Sequence, residues 1–235
     1  MNRASAAALA LLALVGCRAE TAAKAETKPE LYVLTSLPLL FDEGFGLGPA
    51  KGEAAVFLRD HYRLKPIDLP SQLPAGATLL AAQPRALPAE ELVALDSWVR
   101  GGGMMLLLAD PMLEWPSKRP LGDRLRPPVA FADTGLLAHW GLRLDAPEER
   151  GLKQGQYGDL GIAYDSPGKL TKVGGECELS SDGILASCRL GKGRVSVVAD
   201  ADLLNADGID AKLGRGSDNL SAVHMQLLEF TGRAR

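Results

Sequence analysis

The chain has 235 residues and a formal net charge of −3, a length that suits one large α/β domain or two small ones. A hydrophobic content of 46% excludes wholesale disorder, and the near balance of 26 basic and 29 acidic residues argues against nucleic acid as the main partner. Three cysteines are too few for a disulfide scaffold and lack the spacing of a zinc site.

The N-terminal residues have the pattern of a bacterial export signal. Arg3 precedes an apolar stretch over 4–15, which is too short to span a bilayer and is typical of a signal peptide. The stretch ends in the letters LVGC at 14–17. This ending resembles the lipobox of bacterial lipoproteins, whose cysteine is acylated and becomes the first residue of the mature chain.

We therefore predict a signal peptide over 1–16, lipidation of Cys17, a polar tether over 17–29 and a domain over 30–232. More than one acyl chain gives a stable membrane anchor. The predicted location is the bacterial cell envelope, facing the periplasm. Because Arg18 follows the cysteine, the choice between inner and outer membrane stays open. The alternative is an ordinary secretory signal with an incidental cysteine.

Strands and helices are predicted to alternate through the first part of the domain. Short apolar runs indicate buried strands, and apolar residues at helical spacing indicate amphipathic helices. Between the fourth strand and the third helix, the Pro- and Arg-rich segment 112–128 is predicted to be a long surface loop. The predicted strands are 31–37, 65–69, 78–82 and 104–109, and the predicted helices are 52–62, 89–100 and 134–140.

The second part is predicted to be mainly β. Segment 146–169 is rich in Gly, Asp and Gln and is predicted to be irregular. A β-meander and a closing helix over 218–230 follow. The pattern predicts an α/β fold, a three-layer sandwich with a mostly parallel sheet. The meander strands are 170–179, 184–190 and 194–199.

A disulfide between Cys177 and Cys188 is predicted from turn geometry. Asp182-Gly183 is a strong signal for a two-residue type I′ turn. That turn places the two cysteines directly opposite each other, at a hydrogen-bonded position and within bridging distance. The envelope is a compartment in which disulfides persist. Two buried free thiols are the alternative.

Several stretches together resemble the periplasmic domains of gliding-motility-type ABC-transporter auxiliary proteins. The resemblance implies a flavodoxin-like fold similar to that of class I glutamine amidotransferases. It also implies a non-catalytic domain that binds a ligand such as a glycan, or a partner, in a transport or surface-assembly system. Those proteins usually carry a transmembrane anchor, whereas a lipid anchor is predicted here. The stretches are LLAAQPRALPAEELVALDSWVRGGGMMLLL over 79–108, DP at 110–111, LAHWGL over 137–142, GKGRV over 191–195, DAD over 200–202 and DN at 218–219.

The sequence contains no recognisable catalytic or cofactor motif. A cysteine or serine nucleophile would need a sharp strand-to-helix turn and a nearby base. No such pattern occurs, and the histidines lie on predicted helices. The acidic residues after the last strand, Asp200, Asp202, Asp207 and Asp210, do not match a calcium-binding helix–loop–helix pattern. They are interpreted as solvated loop acids and turn caps, with an irregular calcium site as the alternative. We therefore predict no catalytic residue, no cofactor and no metal ligand.

One positional argument nevertheless predicts a binding site. Ligands of open α/β sheets bind beyond the carboxyl ends of the strands, where polar groups accompany an aromatic ring that suits a sugar or a peptide. The alternative is that Asp110 and Asp200 only cap the following loops. The candidate residues are Ser36, Gln83, Asp110, Glu114, Trp115, Asp200 and Asp202.

Three functions remain open at this point. The first is a lipid-anchored, non-catalytic envelope domain that binds a glycan, a peptide or a partner such as an ABC-transporter permease. The second is an envelope hydrolase that uses carboxylates such as Asp110 and Asp200. The third is a purely structural subunit of a membrane complex.

Overall fold

The computed structural model describes residues 28–43 and 48–230. The predicted signal peptide, Cys17 and most of the tether lie outside the described residues. Within them, no helix combines the length and the apolar character needed to cross a bilayer.

The fold is mixed α/β and is built on a seven-stranded, mostly parallel central sheet. Its strand order is β2-β1-β3-β4-β11-β10-β9; the first five strands are parallel, and the last two are antiparallel to their neighbours. The strands are β1 (Glu30–Thr35), β2 (Arg63–Pro66), β3 (Thr78–Ala82), β4 (Met104–Leu108), β5 (Leu142–Asp145), β6 (Leu152–Tyr157), β7 (Leu160–Asp165), β8 (Lys169–Lys172), β9 (Cys177–Leu179), β10 (Leu185–Leu190) and β11 (Gly193–Val198). The helices are α1 (Glu53–His61), α2 (Ala89–Arg100), α3 (Leu136–His139), α4 (Ala206–Leu213) and α5 (Asn219–Phe230).

Helices cover both faces of the sheet. The crossovers through α1 and α2 run in opposite directions along the sheet, and right-handed crossovers then place the two helices on opposite faces. On one face, the hydroxyl of Tyr62 after α1 is hydrogen-bonded to His224 Nδ1 of α5. On the other, Trp140 Nε1 donates to Asp96 Oδ1 of α2 at 2.8 Å. The central strands β3 and β4, apolar on both sides, are therefore buried between two layers of helices.

The predictions of irregular structure over 146–169 and of a single strand over 170–179 are wrong. The first segment contains the hairpin β6–β7. The second is two strands, of which β8 pairs with β5 and β9 joins the central sheet. Strand β6 is largely exposed and has the polar sequence LKQGQY, so it lacks the apolar alternation that indicates a strand. The predicted helix over 134–140 shortens to one turn, α3, and α4 was not predicted.

The hairpin β9–β10 has the predicted register but a different turn. Cys177 faces Cys188, and the two form a disulfide with a Cα–Cα distance of 4.1 Å. The loop over 181–184 has four residues, and the backbone N–H of Ser180 donates to Leu185 O. Asp182 lacks the positive φ that a type I′ turn requires. The longer loop preserves the facing pairs but moves the cysteines to a non-hydrogen-bonded position, which matches their short separation.

Reduction of the disulfide is expected to lower the free energy of unfolding by about 3 kcal/mol, because the bridge closes a short loop in the unfolded chain. Urea unfolding of oxidised and reduced protein measures the difference. The double variant Cys177→Ser/Cys188→Ser should match the reduced wild type and should not respond to reductant. Equal unfolding midpoints for oxidised and reduced wild type would contradict the bridge.

Candidate functional site

The predicted site residues come together at the carboxyl edge of the sheet. Ser36, Gln83 and Asp110 follow the adjacent strands β1, β3 and β4, while Asp200 and Asp202 follow β11. The Ser36 hydroxyl donates to Gln83 O at 2.5 Å. The remaining two residues lie in the loop after β4: the backbone N–H of Glu114 donates to Asp202 Oδ2 at 2.6 Å, and Trp115 packs, half-buried, against the core.

Gln83 links the loop after β4 to the end of β3 by hydrogen bonds. Its side chain is fully buried, and its φ of +44° is unusual for a residue with a Cβ. Nε2 donates to Asp110 O and to Pro128 O, at 3.0 and 3.2 Å, and Oε1 accepts the backbone N–H of Asp110 at 2.9 Å. Both ends of the 112–128 loop are thereby held by one amide group.

Asp110 and Asp200 bind the backbone of the surrounding loops. Asp110 accepts the backbone N–H groups of Met112 and Ala201, at 2.7 and 3.0 Å. Asp200 accepts those of Asp165 and Leu203, at 2.8 and 2.9 Å. These two carboxylates therefore join the segments that follow β4, β7 and β11, which favours the capping alternative for them.

Asp110, Asp200 and Asp202 form a buried acidic triad. Each has 0% of its surface exposed, and one carboxylate oxygen from each lies within 4.8 Å of the other two. Burial raises the pKa of Asp110 to about 6 and that of Asp202 to about 8. Burial, together with the charges of Asp110 and Asp202, raises the pKa of Asp200 well above its ordinary value.

A charged pair beside the triad was missed by the sequence analysis. Asp165, at the end of β7, is buried and forms a salt bridge with Lys212 of α4. This bond raises the pKa of Lys212. Both residues lie in segments that were predicted to be irregular or were left unassigned, so no strand end or helix face pointed to them.

The outer surface of this edge is formed by the predicted surface loop over 112–128. Arg119 Nη2 donates to Glu43 O at 2.9 Å, and Arg85 Nη2 donates to Arg126 O at 2.8 Å. The loop is thus bonded to the segments after β1 and β3. Between the loop and the segment after β1 lies a cavity of about 700 Å³, lined by Pro38, Asp42, Glu43, Pro116, Ser117, Lys118, Arg119, Pro120 and Asp123.

The same loop exposes large apolar side chains. Leu121 is 81% exposed and Leu125 is 64% exposed. Both are held on a loop that is fixed at several points by hydrogen bonds from arginine side chains. A single exposed leucine is ordinary on a protein surface, but two on one braced loop form a candidate contact surface.

Comparison with known proteins identifies similar folds only. No family model and no curated protein matches the sequence. The chain is similar in structure to the exo-beta-1,4-mannosidase Op5Man5 from Opitutaceae bacterium strain TAV5, with a TM-score of 0.51, 14% identity, and coverage of 84% of this chain and 35% of the mannosidase. It therefore spans about a third of the length of that enzyme.

Two further structures match with lower TM-scores. A beta-galactosidase from Rahnella sp. R3 gives 0.43 at 13% identity, covering 80% of this chain and 32% of the enzyme. The cytoplasmic protein STM3548 from Salmonella typhimurium gives 0.41 at 7% identity, covering 86% of this chain and 98% of that protein. At these identities the similarity concerns the fold alone.

Proposed function

We propose that the protein is a lipid-anchored, non-catalytic domain of the bacterial envelope, which binds a partner protein as an accessory of an ABC-type transport or surface-assembly system. We further propose that its fold is flavodoxin-like and related to the class I glutamine amidotransferase fold. The order β2-β1-β3-β4-β11 of the parallel strands supports this, since it corresponds to the flavodoxin-like order 2-1-3-4-5.

The observation that carries the functional proposal is the closure of the carboxyl edge. In open α/β sheets this edge holds the ligand crevice, but here Gln83 and the acidic triad fill it with buried side chains bonded to loop backbone. The edge therefore serves as a support for the 112–128 loop. The accessible features are the loop itself, its exposed leucines and the cavity beside it.

The described chain begins at the edge of the sheet opposite the exposed leucines. The described chain enters the sheet at the amino end of β1, where Lys28 Nζ donates to Arg59 O near the end of α1. The loop follows the carboxyl end of the parallel strand β4, at the opposite edge of the sheet. The start of the described chain therefore does not cover the exposed leucines.

The hydrolase alternative fits the triad poorly. Paired glycosidase carboxylates lie about 5–5.5 Å apart in retaining enzymes and about 6.5–9.5 Å apart in inverting ones, and both must reach the substrate. All three triad residues are fully buried, so none of them reaches a substrate at the surface. This burial favours a supporting role over a catalytic one.

Photocrosslinking in the native host tests the proposal. A benzophenone amino acid at position 121 is expected to crosslink to a permease or another subunit of an envelope transport or assembly system, identified by mass spectrometry. The double variant Leu121→Ser/Leu125→Ser should lose co-purification of that subunit by at least about tenfold, because burial of one leucine side chain contributes about 1.5–3 kcal/mol and tenfold corresponds to about 1.4 kcal/mol.

The control variant is Val93→Ser, because Val93 is 66% exposed on α2 and lies outside the loop. It should retain full co-purification, and a crosslinker at position 93 should give no adduct with the same subunit. Equal adducts at both positions would contradict the loop as the contact surface. An unprocessed chain that starts at Met1 in the cytosol would contradict the envelope function altogether.

A further inference from the structure

The acidic triad carries negative charge that the protein does not pair. Among the described residues, none of the ion pairs includes Asp110, Asp200 or Asp202. Lys212 attracts Asp202, but its salt bridge is to Asp165. Three like charges in a water-excluded site are costly, so the folded state must take up either protons or a cation at this point.

A second observation distinguishes Asp202 from its neighbours. Both oxygens of Asp110 and of Asp200 accept backbone N–H groups, whereas Asp202 uses only Oδ2, which accepts from Glu114. Asp202 Oδ1 is buried and has no hydrogen-bond partner among the described residues. Buried polar atoms are rarely left without a partner, so an oxygen at the triad is available for a ligand.

We propose that Asp110, Asp200 and Asp202 bind one calcium ion inside the domain. Carboxylate oxygens are the ligands that hard divalent cations prefer. Two oxygens on one ion can be separated by at most twice the metal–oxygen distance, which is about 5 Å for Ca²⁺ and about 4.2 Å for Mg²⁺. The triad oxygens all lie within 4.8 Å of one another, which is inside the calcium limit.

The burial of the site also favours calcium over magnesium. Mg²⁺ gives up its water reluctantly and usually keeps several water molecules, whereas Ca²⁺ accepts carboxylates in mono- or bidentate mode and in irregular geometry. The triad is fully shielded from solvent. An ion held there would depend on protein oxygens, to which each of the three carboxylates contributes one.

A bound ion would strengthen the support of the surface loop. The triad residues accept backbone N–H groups from Met112 and Glu114 at the start of the loop, and from Asp165 and Leu203 in the neighbouring segments. An ion shared by the three carboxylates would tie these segments together. The role is structural, and it does not depend on which partner the loop contacts.

Calcium titration of the chelator-treated protein tests the site. Isothermal titration calorimetry is expected to show one Ca²⁺ per chain, and 1 mM Ca²⁺ is expected to raise the melting temperature by about 5 °C or more, because a ligand that binds only the folded state stabilises it. Mg²⁺ at the same concentration should raise it by less than half as much.

The variant Asp202→Asn should lose both the binding heat and the shift in melting temperature, and its circular dichroism spectrum should remain that of the wild type. Asp159→Asn, which changes an exposed acid in the turn between β6 and β7, should bind Ca²⁺ like the wild type. The absence of any wild-type response would mean that the triad holds protons and would overturn the proposal. A full response in Asp202→Asn, or an equal response to Mg²⁺, would also overturn it.

Discussion

Replacing Gly193 with alanine is expected to lower the free energy of unfolding by at least about 3 kcal/mol, because an added Cβ has no free space. It would overlap the carbonyl oxygens of Val99 and Gly103, which belong to backbone and not to movable side chains. Gly193 begins β11, and the neighbouring N–H of Arg194 donates to Gly103 O at 3.2 Å. The substitution must therefore separate β11 from the start of β4.

Urea unfolding measures this effect, with Gly174→Ala as the matched control. A Cβ on Gly174 would meet no atom within 4 Å, and the φ of Gly174 lies outside the left-handed region. The control should stay within about 0.5 kcal/mol of the wild type. A wild-type midpoint for Gly193→Ala would contradict the close approach of the two segments. Because β11 leads directly into Asp200, the variant should also weaken the acidic triad.

The parallel half of the fold could be predicted from the sequence because its signals are local. Strand β3 and helix α2 have the predicted bounds, since a continuous apolar run and an apolar helical face each identify their element without reference to the rest of the chain. The same logic predicted that several polar residues lie close together. Polar residues after parallel strands must meet at one edge, and Gln83, Asp110 and Asp200 do meet there.

The sequence could not show whether those side chains are buried or which groups they bind. Whether Asp200 faces solvent or backbone depends on the hairpin β6–β7, whose end supplies the N–H of Asp165. Its first strand, β6, is polar and has no buried residue, so it lacks the local apolar pattern that predicts a strand. Similarly, Lys212 lies on a helix of only eight residues, ADGIDAKL, which includes a glycine and is too short for a clear helical pattern. The burial of the triad could therefore be recognised only from the tertiary structure.

Without divalent cations, the protein is expected to lose stability as the pH rises from about 4 to about 8. Burial raises the pKa of Asp110 from 3.8 to about 6 and that of Asp202 from 3.8 to about 8, and it raises the pKa of Asp200 as well. In this range the folded state holds protons that the unfolded chain has released. Linkage then makes the free energy of unfolding fall with increasing pH.

The stability is fully present below the ordinary carboxyl pKa and is lost as the pH passes the raised values. The shift at Asp110 alone corresponds to about 3 kcal/mol. Urea unfolding in EDTA at pH 5 and pH 8 measures the slope. Asp202→Asn should reduce the pH dependence of the free energy of unfolding. It should also be more stable than the wild type at pH 8, because the amide has the size of the carboxyl without its buried charge. Asp159→Asn should keep the wild-type slope. A wild-type stability that increases towards pH 8 in EDTA, with the same slope in Asp202→Asn, would contradict the raised pKa values of the triad.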